Sequence, residues 1–186
     1  CPKKDSFIVP KKPLSLLKGA LPDNDDELKI SYNSNHLFIT HGSTELVCRL
    51  IDARFPDYKV VIPTDNPYKL MVNRSDFQNA LRRVSVFSNK STNQVALSMS
   101  GSELQLASQD VDFSFEGNER MVCQYDGEDL QIAFNAKFLI EMLNGTDTQD
   151  INMELSTATK AGIIRPTEEE DNENLLMLVM PLMLNN

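Results

Sequence analysis

The chain has 186 residues, 41% of them hydrophobic, enough to bury a sizeable core in one or two compact domains. Its formal net charge of −9 argues at face value against nucleic acid, although a net charge does not exclude a local basic face. There is no run of about 18 apolar residues and no charged-apolar-small leader, so neither membrane insertion nor secretion is expected, and a cytoplasmic protein is. Three scattered cysteines (Cys1, Cys48, Cys123) lack CxxC spacing and read as reduced structural thiols. An opening at Cys1 rather than methionine reads as a piece of something longer.

In chain order, Lys11 to Leu21 is a helix with Pro13 in its first turn and an apolar stripe of Leu14, Leu17 and Leu21. The loop 22–26 follows, then strands Leu28–Tyr32, Leu37–Thr40 and Glu45–Ile51, spaced by Asn33-Ser34-Asn35 and His41-Gly42-Ser43 turns. The stretch Ile51 to Pro63 is punctuated by Pro56 and Pro63. Its β-branched residues predict a strand over Lys59–Ile62, packed as a junction between two domains.

Beyond it, Lys69–Val72 is a strand. A capping box of Ser75 and Gln78 opens a helix to about Phe87, with Phe77, Leu81 and Val84 inward and Gln78, Arg82 and Arg83 on other faces. Strands are expected at Val95–Met99, Glu103–Ser108, Val111–Glu116, Met121–Tyr125 and Leu130–Phe134, with turns at Ser100-Gly101-Ser102, Gln109-Asp110 and Gly117-Asn118. Asn135 caps a helix that closes at Asn144-Gly145. Ile151–Leu155, Gly162–Arg165 and Leu175–Met180 are the last strands, the final two separated by the acidic loop 168–171.

An internal repeat runs through these elements. Ile8 to Leu17 aligns with Ala133 to Met142, each reading strand, cap, helix and each followed by three strands; Lys69 to Tyr125 has the same order. Three strand–helix–strands units result, one before the linker and two after it. One apolar stripe and one apolar sheet face need a partner layer, so two units make a domain of two helices and two sheets. Residues 1–63 are therefore half a domain and residues 67–186 a complete one, in the α+β class.

Residues that could carry chemistry are sparse. His36 and His41 stand near the ends of a short strand without HExxH or paired cysteines, and the seven glycines are spread among turns with no phosphate loop or GxSxG. Neither an enzyme nor a cofactor or metal site is expected. Against that background, six of the 18 basic residues (Lys11, Lys12, Lys18, Arg82, Arg83 and Lys137) fall on or at the start of the three helices, off their apolar stripes. Ordinary solvated helix faces account for them, and so does dispersed, non-specific contact with a phosphate backbone. The run Leu175 to Leu184 is apolar almost to the terminus. It fits a last core strand, and its methionines also fit an adaptable groove for short peptides beside the Phe55-Pro56 linker.

Two motifs carry a family resemblance. Arg54-Phe55-Pro56-Asp57-Tyr58, followed by Val60-Val61-Ile62-Pro63, resembles the linker between the second and third domains of the bacterial DNA polymerase III beta subunit, the replicative sliding clamp. Leu178-Val179-Met180-Pro181-Leu182-Met183-Leu184 resembles that family's C-terminal strand and tail, and the similarity begins at Phe7-Ile8-Val9-Pro10. The resemblance implies the DNA-clamp fold, built from three two-unit domains per chain, with residues 1–63 the C-terminal half of the second and 67–186 the third.

It implies a non-catalytic processivity factor that, as a full-length homodimeric ring, encircles duplex DNA and tethers the polymerase III catalytic subunit, the clamp loader and other motif-bearing replication and repair proteins. Lys11, Lys12, Lys18, Arg82, Arg83 and Lys137 would then face DNA, and Val86 and Phe87 would meet a second subunit. Pro56, Val60, Val61, Leu178, Val179, Met180, Pro181, Leu182, Met183 and Leu184 would form the peptide groove. Val60 and Met183 stand where many members carry arginine or a similar residue, so this groove should be more apolar; Thr92 stands at an aromatic pocket-edge position, and Asn185 and Asn186 extend the tail. Part of the family's pocket comes from a half-domain missing here, so weak peptide binding is expected of this chain alone. The alternatives are a stand-alone peptide-binding module without a DNA role and a small hydrolase.

Overall fold

The computed structural model describes residues 5–21, 26–169 and 171–184. Cys1, positions 22–25 of the acidic loop after the first helix, Glu170, and the terminal Asn185 and Asn186 lie outside them. The chain divides into two compact units, Cys1–Asp57 and Tyr58–Asn186.

The first unit holds α1 (Lys11–Ala20), β1 (Lys29–Tyr32), β2 (His36–His41) and β3 (Thr44–Arg49). The strands form an antiparallel sheet in that order. Asn33 sets the first turn, its Oδ1 accepting from the backbone N–H groups of Asn35 (2.9 Å) and His36 (2.8 Å). Gly42 supplies a φ of +56° for the second. The core is small: Leu37, Ile39 and Cys48, with Val9, Leu17, Leu28, Leu46 and Leu50 packed around them. It covers only part of the stripe expected on α1. Leu17 and Leu21 are half-buried, but Leu14 is 47% exposed and no residue of the helix is fully buried.

The second unit opens on a 3-10 helix, Tyr58–Val61, where the sequence suggested a strand. β-branched residues favour strands only when a neighbouring strand offers a ladder, and Val60 and Val61 pair with none. The unit continues through β4 (Tyr68–Asn73), α2 (Arg74–Val84) with a 3-10 turn at Ser85–Phe87, β5 (Gln94–Ser100), β6 (Glu103–Asp110), β7 (Phe115–Val122), β8 (Gln124–Asp126), β9 (Leu130–Asn135), α3 (Ala136–Leu143), β10 (Asp150–Leu155), β11 (Gly162–Pro166) and β12 (Met177–Val179). Two antiparallel sheets result, in the orders β12-β11-β10-β4-β8 and β7-β6-β5-β9. One core joins both sheets to both helices. Phe77, Leu81, Leu139 and Leu143 come from the helices, and Leu70, Leu97, Leu106, Phe134 and Met153 are among those from the strands.

The three repeat copies close in the same way. Ile8, before α1, bridges Ile51; Met71, before α2, pairs with Gln124; Ala133, before α3, bridges Leu182. In the first and third copies the bond is the same, the N–H of Ile51 donating to the Ile8 carbonyl (3.0 Å) and that of Leu182 to the Ala133 carbonyl (2.7 Å). Within the second unit these leading and closing strands are exchanged. β4 and β8 of one copy join β10–β12 of the other, while β9 and Leu182 join β5–β7.

Several local expectations are corrected. The strand expected over Val111–Glu116 is a turn from Val111 to Ser114, with the Asp112 N–H on Asp110 Oδ1 (3.2 Å); only Phe115 and Glu116 are extended, as the start of β7, which runs straight through the supposed Gly117-Asn118 turn. Gly117 is there because the Phe87 ring occupies the place of a side chain, 2.3 Å from where its Cβ would be. Ser75 does not cap α2. Asn73 does, its Oδ1 accepting from the Asp76 N–H at 3.1 Å, and the Ser75 hydroxyl donates to the same oxygen. Gln78 faces inward instead of outward, its amide donating to Asn144 Oδ1 (2.8 Å) and the Ile140 carbonyl (3.3 Å) of α3. Arg74 meets α3 as well, on the carbonyl of Leu143 (3.2 Å), and reaches that of Thr148 (2.8 Å) in the loop beyond it, so the first turn of one helix satisfies the last turn of the other. Asn135 caps α3 as expected, accepting from the Lys137 N–H at 2.9 Å.

On the exposed side of α2, Arg83 grips Glu119 of β7, with Nε donating to Oε2 at 3.0 Å and Nη2 donating to Oε1. The hydrogen bonds from Arg83 hold the Glu119 carboxyl below the usual carboxylate range, partly offset by desolvation.

Replacing Asn73 by Ala should lower stability by about 1 kcal/mol, whereas Ser75→Ala should change it by a few tenths at most, as read by urea unfolding. Glu119→Gln should cost less than about 1 kcal/mol at neutral pH, because the pair lies at the surface with Arg83 exposed and Glu119 only partly covered. A carboxyl with a depressed folded pKa stabilises fully above its unfolded pKa and loses that contribution as the pH falls through the folded value. The difference between wild type and Glu119→Gln should therefore vanish in acid; a difference that persists there would show that shape, not charge, is at stake.

Candidate peptide groove and basic helix faces

The tail is positioned by strand chemistry. β12 pairs with β11 with Val179 opposite Gly162 and Leu178 opposite Ile163. Alternation along an extended chain then separates its side chains. Val179 turns into the core at 2% exposure, and Met180, next along, is 62% exposed. Val179 is thus a core residue and presents no side chain to a ligand, contrary to its place in the expected groove. Leu178, Pro181, Leu182 and Leu184 are half-buried and Met183 is exposed. The Leu182–Ala133 bridge then ties the tail to the edge of the second sheet.

That tether splits the tail between two hollows. The first, about 470 Å³, is lined by Val61, Ile62, Pro63, Thr64 and Asp65 after the 3-10 helix, by Thr159, Lys160 and Ala161 of the β10–β11 turn, and by Met180. The second, about 800 Å³ and more polar, lies on the outer face of the four-stranded sheet and includes Thr92, Gln94, Gln131 and Leu184. The structure therefore brings Val61 and Met180 together and sends Leu184 to a different hollow, beside Thr92. Val60 is 77% exposed and lines neither, and Pro56 lies in the first unit.

Sequence reasoning missed Ile62 to Asp65 and Thr159 to Ala161. The β10–β11 turn gave no indication of neighbouring the linker, because only the sheet order brings them together. Asn66 fastens them: its amide donates to the carbonyls of Glu154 (3.1 Å) and Ala161 (3.0 Å).

All six candidate basic residues are exposed on the helices. Among the described residues Arg82 and Lys137 have no ion-pair partner, while Arg83 is engaged by Glu119. Val86 is exposed at the end of α2, and Phe87 is half-exposed with its ring against Gly117. Cys48 and Cys123 are free and buried, and burial, with Glu103 nearby, pushes the Cys123 thiol up. Among the described residues no cluster of His, Cys, Asp and Glu could hold a metal ion, and no helix is long and apolar enough to cross a membrane. His41 stands 3.7 Å from Asp26.

Comparison with known proteins gives these features a context. Residues 59–181 match the C-terminal domain of the DNA polymerase III beta subunit, and residues 2–57 match its central domain. The beta sliding clamps of Staphylococcus epidermidis and Pseudomonas aeruginosa are each 27% identical, over 95% and 97% of this chain but only 46% and 48% of their own length. Among solved structures, the DNA polymerase III beta subunit of Thermotoga maritima superposes with a TM-score of 0.85 at 30% identity, over 96% of this chain and 48% of that one. A sliding clamp from Bartonella birtlesii, bound to griselimycin, does so with a TM-score of 0.87 at 30% identity, over 96% and 47%. The chain spans about half the length of these relatives. With both domain patterns matched in order and the whole fold shared, the chain belongs to the DNA polymerase III beta subunit family, the bacterial sliding clamps.

Proposed function

We propose that this chain is the C-terminal part of a non-catalytic processivity factor of DNA replication. In the longer protein, residues 1–63 are half of the second clamp domain and residues 67–186 the third. That protein closes as a homodimeric ring on duplex DNA in the cytoplasm, with Val86 and Phe87 at a subunit boundary. The groove docks the polymerase III catalytic subunit, the clamp loader and other partners carrying a short apolar motif. The observation that carries the reading is the apolar hollow where the linker's 3-10 helix, the β10–β11 turn and Met180 converge, in a chain of this family.

The helix faces support the DNA role on separate physical grounds. Lys11 and Lys12 open α1 and Lys137 lies in the first turn of α3, at the positive end of each helix dipole. A cation there costs a helix about 0.3–1 kcal/mol, so these residues do not serve helix stability. Cations added to exposed helix N-termini do suit a phosphate backbone held without base readout. Arg83 contributes least, being neutralised by Glu119.

A labelled peptide of the Gln-Leu-x-Leu-Phe type should bind saturably, and truncation after Met180 should abolish binding by removing the Leu182 tether; binding that survives truncation would overturn the pocket assignment. Arg82→Glu with Lys137→Glu should weaken binding of duplex DNA at low salt and flatten its salt dependence by about one unit of slope per cation removed, leaving peptide affinity unchanged. DNA binding indifferent to both would favour a peptide-binding module with no DNA role.

A further inference from the structure

The hollow beside Met180 has a rim that the apolar reading does not use. Its lining is apolar at Val61, Ile62, Pro63, Ala161 and Met180, with one cation, Lys160, and one anion, Asp65, at its edge. Both are exposed. Neither has an ion-pair partner among the described residues. The nearest acid along β10, Glu154, is already taken by Arg165 at 3.4 Å.

Lys160 does not sit on a loose loop. Its own N–H donates to the Thr157 carbonyl (3.3 Å), which closes the β10–β11 turn. The next carbonyl, that of Ala161, is held by the Asn66 amide at 3.0 Å. Asn66 follows Asp65 directly, so one side chain fixes the backbone beside both rim charges. The ammonium is therefore presented from a clamped turn, at the mouth of an apolar hollow, with no carboxylate among the described residues paired with it.

We infer that Lys160 is a specificity-determining residue of this hollow, and that the occupant it selects is a short extended peptide with a carboxylate beside its apolar anchor. The inference rests on the groove reading above and adds the charge of the ligand to it. The apolar side chain seats against Val61, Ile62 and Met180. The neighbouring Asp or Glu reaches Lys160, and Asp65 faces N–H donors of the peptide and disfavours a second carboxylate. The chain's net charge of −9 makes the site more telling, since an acidic peptide gains nothing from the overall field and can be favoured only by a local cation.

The test is a charge-swap cycle read by fluorescence anisotropy on the 186-residue chain. Two peptides are compared that differ only in carrying Asp or Asn next to the apolar anchor. Exposed ion pairs typically change affinity by roughly 1.4- to 5-fold, so wild type should prefer the Asp peptide about threefold. Lys160→Met should remove the preference, Lys160→Glu should invert it, and Asp65→Asn should enlarge it; the Asn peptide should bind wild type and Lys160→Met alike. A preference that is the same in wild type and Lys160→Glu, with both peptides still lost on truncation after Met180, overturns the role of Lys160 and leaves the groove standing. If neither peptide binds wild type, the groove reading and this inference fall together.

Discussion

The structure depends on an exchange of main-chain ladders. In the second unit, the strand that leads into each helix leaves its own copy and pairs with the first sheet strand of the other: β4 with β10, and β9 with β5. Each closing strand follows its leader across, β8 beside β4 and Leu182 beside Ala133. Neither sheet can be completed by one copy alone. The apolar faces of α2 and α3 then close over a single core, and polar groups at their ends are satisfied by the opposite copy, as with Gln78 and Arg74 on the last turn of α3.

The same rule explains why the first unit looks unfinished. Its leading strand bridges its closing strand through Ile8 and Ile51, as in the other copies, but among the described residues no exchanged strands lie beside β1, which is an edge strand exposed along its whole length. α1 buries no residue, and a hollow of about 160 Å³ lined by Leu16, Leu17, Ala20 and Leu21 opens between it and the sheet residues Ile39 and Leu46. Each of these is a place that the second unit fills with a mate. A single helix with one apolar stripe over a single three-stranded sheet has too little apolar surface facing it to bury either element fully.

Much of this was legible from side-chain pattern. The alignment of Ile8–Leu17 with Ala133–Met142 puts Lys11 opposite Ala136, and those are the first residues of α1 and α3. The Asn135 cap and the turns at Gly42 and Gly101 were readable because they depend on one residue's conformational freedom or one side-chain oxygen. Failures came where a distant element decides. Asn73 and Ser75 are both good caps by type, and the choice went to Asn73, whose amide also meets the Gln149 carbonyl (3.2 Å) from across the sheet. Gly117 reads as a turn until Phe87 is seen to need its space. Gln78 reads as solvent-facing until Asn144 supplies a buried partner.

The groove shows the same division more sharply. A run of apolar residues from Leu178 to Leu184 cannot say which members are core, because period-two alternation fixes the faces only once the register on β11 is known. With Val179 opposite Gly162, its side chain must enter the core, where a larger residue at 162 would meet Leu155, Met153 and Phe134. Met180 is thereby turned outward, towards the hollow that Val61 and the β10–β11 turn line. A glycine on one strand thus decides which residue of the tail is buried and which is exposed. The lining of the hollow is thus a by-product of how the last strand is buried: the tail contributes Met180, while Asp65 and Lys160 come from the exposed segments beside it.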